Sequence, residues 1–117
     1  MDLSKKLQVP TGTAIFVVDL PEGLGKGLRV TKREEGAAVL VFAANYKKLA
    51  ENAGAAVAAA RADRLSWIAY PKGGQLKTDL NRDKLQGLVK HFGIEGVRLV
   101  SIDNVWSAMR FRPLKSS

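Results

Sequence analysis

Trp67-Ile68-Ala69-Tyr70-Pro71-Lys72-Gly73-Gly74, followed by Thr78-Asp79-Leu80-Asn81-Arg82-Asp83, is the stretch whose reading decides the fold. A short apolar run with two aromatics stops at a proline, a lysine and two glycines. A helix-start signal comes next. This order predicts a buried strand, a loop at its carboxyl end, and a helix opening over that loop. In open α/β sheets, ligands sit in the crevice outside the carboxyl ends of the strands. The stretch therefore marks a candidate site as well as a fold.

Working outward, Ala14–Val18 (AIFVV) and residues 37–44 are continuous apolar runs. Both read as parallel strands covered on two faces. Residues 28–31 alternate and predict a short, more exposed strand, separated from the first by a loop over residues 19–27. Asn45 is a good N-cap for a helix over residues 46–62, where Leu49, Ala53, Val57 and Ala60 recur at near-helical spacing. Gly54 costs that helix about 1 kcal/mol relative to alanine. Residues 65–70 form the next strand. Asn81 or Thr78 caps a second helix over residues 83–92, with Leu85, Leu88, Val89 and Phe92 as its apolar stripe and Gly93 as its stop. His91 falls outside the stripe and is expected in solvent. The chain closes on two strands, residues 96–103 and 105–112, joined by a tight turn at Asp103-Asn104.

Strands separated by helices and ending in a hairpin predict an α/β fold. We expect a single, mostly parallel Rossmann-like sheet of order 2-1-3-4-6-5, with strand 6 antiparallel, built from one domain spanning residues 1–117. Both connecting helices follow right-handed crossovers in one direction, so they should cover the same face. The other face has only a short N-terminal segment, with Leu3 and Leu7 on one side. A second copy supplying the missing layer, a homodimer, is the expectation.

Composition bounds the function. With 117 residues, 46% hydrophobic and 26% charged, the chain is an ordinary globular domain. Cysteine is absent, which excludes disulfides and thiol chemistry, and His91 is the single histidine, which argues against histidine-rich metal sites. Nothing resembles a signal peptide, and no apolar run approaches the roughly 20 residues that span a bilayer. A cytoplasmic protein with no membrane partner is expected. The net charge of +8 favours anionic partners, nucleic acid among them. The basic residues are scattered, however, the densest groups being Lys5-Lys6, Lys32-Arg33, Lys47-Lys48 and Arg110/Arg112, and solubility alone is the competing explanation.

The layout resembles the carboxyl-terminal half of a class I methyltransferase-like Rossmann fold, whose last strand also inserts as an antiparallel hairpin. More specifically, four pieces resemble a family of small bacterial proteins classed as a domain of unknown function. They are Ala69-Tyr70-Pro71-Lys72, Thr78-Asp79-Leu80-Asn81-Arg82-Asp83, Ile102-Asp103 and Trp106-Ser107-Ala108-Met109-Arg110-Phe111-Arg112-Pro113. The similarity covers nearly the whole chain, and the WSA-x-RFRP ending is its most specific part. It implies the fold and supplies no activity or catalytic residues.

Asp19-Leu20-Pro21-Glu22-Gly23-Leu24-Gly25-Lys26-Gly27 stands where methyltransferases keep a glycine-rich loop for S-adenosylmethionine. Proline occupies the expected first glycine, and Leu28 already begins a strand, leaving no room for the helix such a loop serves. No cofactor is expected. Asp79, Asn81 and Asp83 alternate like a calcium loop but lack its glycine and glutamate, and capping explains them better, so no metal is expected. Ser107 finds no histidine and acid for a catalytic triad, and no catalytic residue is assigned.

If the sheet is ordered as above, Tyr70, Lys72, Asp79, Arg82, Asp103 and Trp106 gather at one end of strands 4 to 6. Two cations, two carboxylates and an aromatic face there could hold an anionic small molecule. The competing reading has Trp106 in the core and Asp103 capping the hairpin turn. Three functions follow in order: a non-catalytic binding module for an anionic ligand or partner, a minimal or degenerate methyltransferase, and a nucleic-acid-associated adaptor.

Overall fold

The computed structural model describes residues 3–114. Its strands are β1 (Ala14–Val18), β2 (Arg29–Thr31), β3 (Ala38–Phe42), β4 (Ser66–Pro71), β5 (Ile94–Ser101) and β6 (Trp106–Pro113). They form one sheet in the order β2-β1-β3-β4-β6-β5. The pairings β1–β2, β1–β3 and β3–β4 are parallel, and β6 lies antiparallel between β4 and β5. This is the α/β topology that the alternation of apolar runs and helix signals implied. Every residue of β3 and of β4 is buried, as strands in the middle of a two-sided sheet should be, and the one polar hydroxyl among them outside Tyr70, that of Ser66, donates to the Ala56 carbonyl at 2.7 Å.

Helices α2 (Tyr46–Asn52), α3 (Gly54–Arg61) and α4 (Arg82–Lys90) share one face. Leu49, Val57, Ala60, Leu85 and Val89 pack there against Val39, Val41, Ile68, Tyr70 and Phe111. Asn45 and Asn81 start α2 and α4, each side chain accepting the amide of the residue three positions on, Lys48 and Lys84. The one helix expected over residues 46–62 divides at Ala53, immediately before Gly54, the poorest helix former in the segment. The second helix ends at Lys90, so Phe92 leaves its expected apolar stripe and stands 46% exposed in the closing turn, with Gly93 at φ 81°. His91 is exposed, as expected.

The opposite face corrects an expectation. Helix α1 (Leu3–Lys6) and the residues after it fill that side, so it is not an open layer awaiting a second copy. Leu3 and Leu7 pack on Ile15, Leu40, Phe42, Trp67 and Trp106, with Leu24 and Leu28 of the glycine-rich loop closing over them. A buried hydrogen bond fixes the segment: Trp67 Nε1 donates to the Leu7 carbonyl at 2.9 Å. A few bulky side chains thus supply the cover that a helix supplies on the other side. The homodimer loses the uncovered face on which it was argued.

The β5–β6 hairpin also differs in detail. β5 begins at Ile94, directly after Gly93, because the fully buried Ile94 pairs with Pro113. The turn is wider than Asp103-Asn104: the Ile102 amide already bonds to the Trp106 carbonyl at 2.9 Å. A bulge between Gly96 and Arg98 sets Val97 outside the register.

Candidate functional site

The carboxyl ends of β4 and β5, the start of β6 and the N-termini of α2 and α4 meet at one edge of the sheet. All six residues singled out in the sequence lie at this edge, but on two faces. Tyr70 points to the helical face, packed in the cluster with Leu80 and Leu85. Trp106 points to the other, buried edge-on to Phe42 with ring centroids 5.1 Å apart and planes at 87°. It is core and closes off behind the sheet. Asp103 is committed as well, its Oδ1 accepting the amides of Val105 and Trp106, both at 2.8 Å. It forms the hairpin turn.

Of the remaining four, Tyr70 and Arg82 line one hollow, while Lys72 and Asp79 are engaged elsewhere along the edge. The Lys72 amide donates to the Val105 carbonyl at 2.7 Å, which ties the loop after β4 to the hairpin. Its Nζ donates to Ser101 Oγ at 2.7 Å. Asp79 holds two helix starts together: Oδ1 accepts the Tyr46 amide at 2.9 Å, and its carbonyl accepts Lys84 Nζ at 2.8 Å. Its carboxylate thereby satisfies one orphan donor of α2.

Tyr70 and Arg82 line a hollow of about 340 Å³ together with Asn81, Asp83 and Leu99. Tyr70 is 6% exposed. Among the described residues its hydroxyl has no hydrogen-bond partner, and no buried side-chain polar atom is left unsatisfied. The ring is therefore buried while the oxygen opens into the hollow. Burial pushes that hydroxyl above its ordinary value of 10.0, and the Arg82 charge partly offsets the rise. Arg82 also has no hydrogen-bond or ion-pair partner among the described residues. As the first residue of α4 it sits where the first amides have no partner inside the helix. Asp83 supplies a negative charge at the same mouth, so an anion there would answer to the Arg82 side of the hollow.

The sequence missed Leu99 and Ser101 as members of this edge. Pairing register was the signal. Tyr70 opposes Ser107, and Ser107 opposes Ser101, so three hydroxyl-bearing residues form one row across three strands on the helical face. Alternation within β5 and β6 contained the row, but only the register fixes its partners.

A larger hollow, about 690 Å³, lies at the opposite edge among Arg33, Glu34, Glu35 and Arg64. Its charges balance, and Arg64 is occupied: Nη1 donates to the Ala37 carbonyl at 2.7 Å and the Glu34 carbonyl at 3.3 Å. It braces the β2–β3 loop. Among the described residues no three His, Asp or Glu side chains cluster as a metal site, and no helix is long and apolar enough to cross a membrane.

Fold and edge together define a small, mostly parallel α/β domain with a polar hollow at the carboxyl ends of its strands. Comparison with protein-family models, with curated proteins and with solved structures returned no match.

Proposed function

We propose that the domain is a non-catalytic binding module for an anionic ligand, seated between Tyr70 and Arg82 at the N-terminus of α4. The observation that carries this reading is the buried Tyr70 whose hydroxyl lacks a partner among the described residues and opens beside an unpaired guanidinium. The ring is buried but the hydroxyl oxygen is accessible, so a ligand oxygen or water can partner it here. Lys72 and Ser101 extend the polar edge beyond the hollow. Inorganic phosphate and simple nucleotides are the first probes. They should raise the melting temperature of the wild type and should do so much less for Tyr70→Phe or Arg82→Gln. If no anion shifts the wild-type melt, the proposal falls.

The methyltransferase reading is the weaker one. The loop after β1 runs straight into β2 at Arg29, so the phosphate-binding strand–loop–helix geometry has no helix at that position. Micromolar binding of S-adenosylmethionine in calorimetry would restore it.

A further inference from the structure

The register of the β5–β6 hairpin sets two arginines directly opposite each other. Arg98 pairs with Arg110, and Arg110 in turn pairs with Trp67 of β4. Since directly opposed residues share a face, and Trp67 packs with Leu3 and Leu7, all three lie on the α1 side of the sheet. Arg112, two residues beyond Arg110, has the same facing. The single carboxylate within these two strands, Glu95, stands opposite Arg112. Among the described residues none of the three arginines forms an ion pair, and only Arg110 has a hydrogen bond, from Nη1 to Gln8 Oε1 at 3.4 Å. Lys6 brings a further cation to the end of this strip, where its Nζ donates to the carbonyls of Ser101 and Ile102 at 3.0 and 2.9 Å.

Like charges directly opposite in a sheet destabilise it. By register the pair faces the α1 side, away from Tyr70, although Arg98 also borders a second hollow with Arg82, Leu99 and Met109. We propose that the Arg98–Arg110–Arg112 strip is a second site, binding the phosphodiester backbone of a nucleic acid without regard to sequence. Planar guanidinium forks match phosphate oxygens in paired hydrogen bonds, a geometry an ammonium does not offer. The net charge of +8 adds long-range attraction for a polyanion. The aromatic residues of this face, Trp67, Phe42 and Trp106, are buried and cannot stack on bases. Contacts here read backbone, and backbone contacts carry no sequence information. A membrane surface is the poorer fit, because the large apolar side chains of this face are packed beneath α1 rather than offered to lipid.

Fluorescence anisotropy with a labelled duplex oligonucleotide tests this, titrated at salt concentrations from about 50 to 200 mM. Wild-type affinity should fall steeply with salt and be insensitive to base sequence. The double variant Arg98→Gln/Arg112→Gln should flatten the slope of log K against log salt by about 2, each arginine accounting for about 0.9 of it. Its melting temperature should match or exceed that of the wild type, since a like-charge pair is relieved. Tyr70→Phe should leave oligonucleotide binding intact, which separates this site from the hollow on the other face. The proposal is overturned if the wild type shows no salt-dependent binding, if the double variant keeps the wild-type slope, or if Tyr70→Phe abolishes binding. Binding of polyglutamate as tightly as the oligonucleotide would also overturn it, because the surface would then be a general polyanion trap.

Discussion

Replacing Asp103 with alanine separates the two roles that a carboxylate at this edge could have. In the structure its Oδ1 accepts two amide hydrogens, from Val105 and Trp106, each at 2.8 Å. These bonds shape the turn that delivers Trp106 into the core. An intramolecular hydrogen bond contributes about 0.5–1.5 kcal/mol net, so two set an upper range of about 1–3 kcal/mol. Both amides are only part-buried, and water can reach them after truncation, which places the loss for Asp103→Ala at about 1–2 kcal/mol. For a domain of this size that corresponds to a fall of about 4–10 °C in melting temperature. Asp103→Asn keeps an oxygen acceptor in the same place and should recover most of the loss. The assay is thermal unfolding by circular dichroism for all three proteins, without any ligand. A ligand-binding carboxylate behaves differently: its removal leaves the empty protein's melt unchanged and damages only a ligand-induced shift. If Asp103→Ala melts within a degree of the wild type, the turn argument is refuted and Asp103 returns to the candidate ligand residues.

Lys72→Ala loses one exposed hydrogen bond to Ser101 and should change stability by about 0–1 kcal/mol, read as a nearly unchanged chemical-denaturation midpoint. Trp67→Phe removes the buried bond to the Leu7 carbonyl and leaves a void, so unfolding in urea should register a loss of about 2–4 kcal/mol. Gly96→Ala places a Cβ against Met109 Sδ, and the side chain must give way, lowering stability by about 1–3 kcal/mol in the same assay. Tyr70 holds its proton more tightly in the folded state than the ordinary value of 10.0, because burial disfavours the phenolate. Its contribution is therefore fully present below that pH and is lost as the pH rises above it, so alkaline unfolding should begin later in Tyr70→Phe. An ultraviolet titration should show Tyr70 ionising above the ordinary value of 10.0.

The fold was legible because its strongest signals were redundant. Residues 37–44 are apolar without interruption and residues 67–70 form a second short apolar run, as central parallel strands covered on both faces do. Asn45 and Asn81 stand where their helices begin, and a hairpin at the chain's end leaves β6 antiparallel to both its neighbours. What stayed illegible was set by tertiary packing. Periodicity gave Phe92 a place in the stripe with Leu88 and Val89, yet Gly93 stops the helix at Lys90 and sends Phe92 outward. The sequence offered only a short N-terminal segment, with Leu3 and Leu7 on one side, for the second face. It could not show that Leu7 would lock onto Trp67 and that Leu24 and Leu28 would fold back to finish the layer.

The candidate site shows the same limit more sharply, because in a sheet one residue of displacement decides which side a group serves. Tyr70 and Pro71 are neighbours in sequence and therefore face opposite ways. The hairpin register pairs Pro71 with Trp106 and Tyr70 with Ser107. Trp106 is thus bound to the α1 side and Tyr70 to the helical side, although both belong to the same end of the same strands. Proximity along the edge was readable from strand order alone, but the face was not, since it depends on where the turn around Asp103 places Trp106. The carboxylate that was a candidate ligand residue is the group that sets this register. Its two hydrogen bonds divide the edge into a buried aromatic back and a polar front holding Tyr70, Lys72 and Arg82. The same parity, carried four residues on from Trp106, puts Arg110 and with it Arg98 on the α1 side. Two cationic surfaces of one small sheet are therefore kept apart by the phase of a single turn.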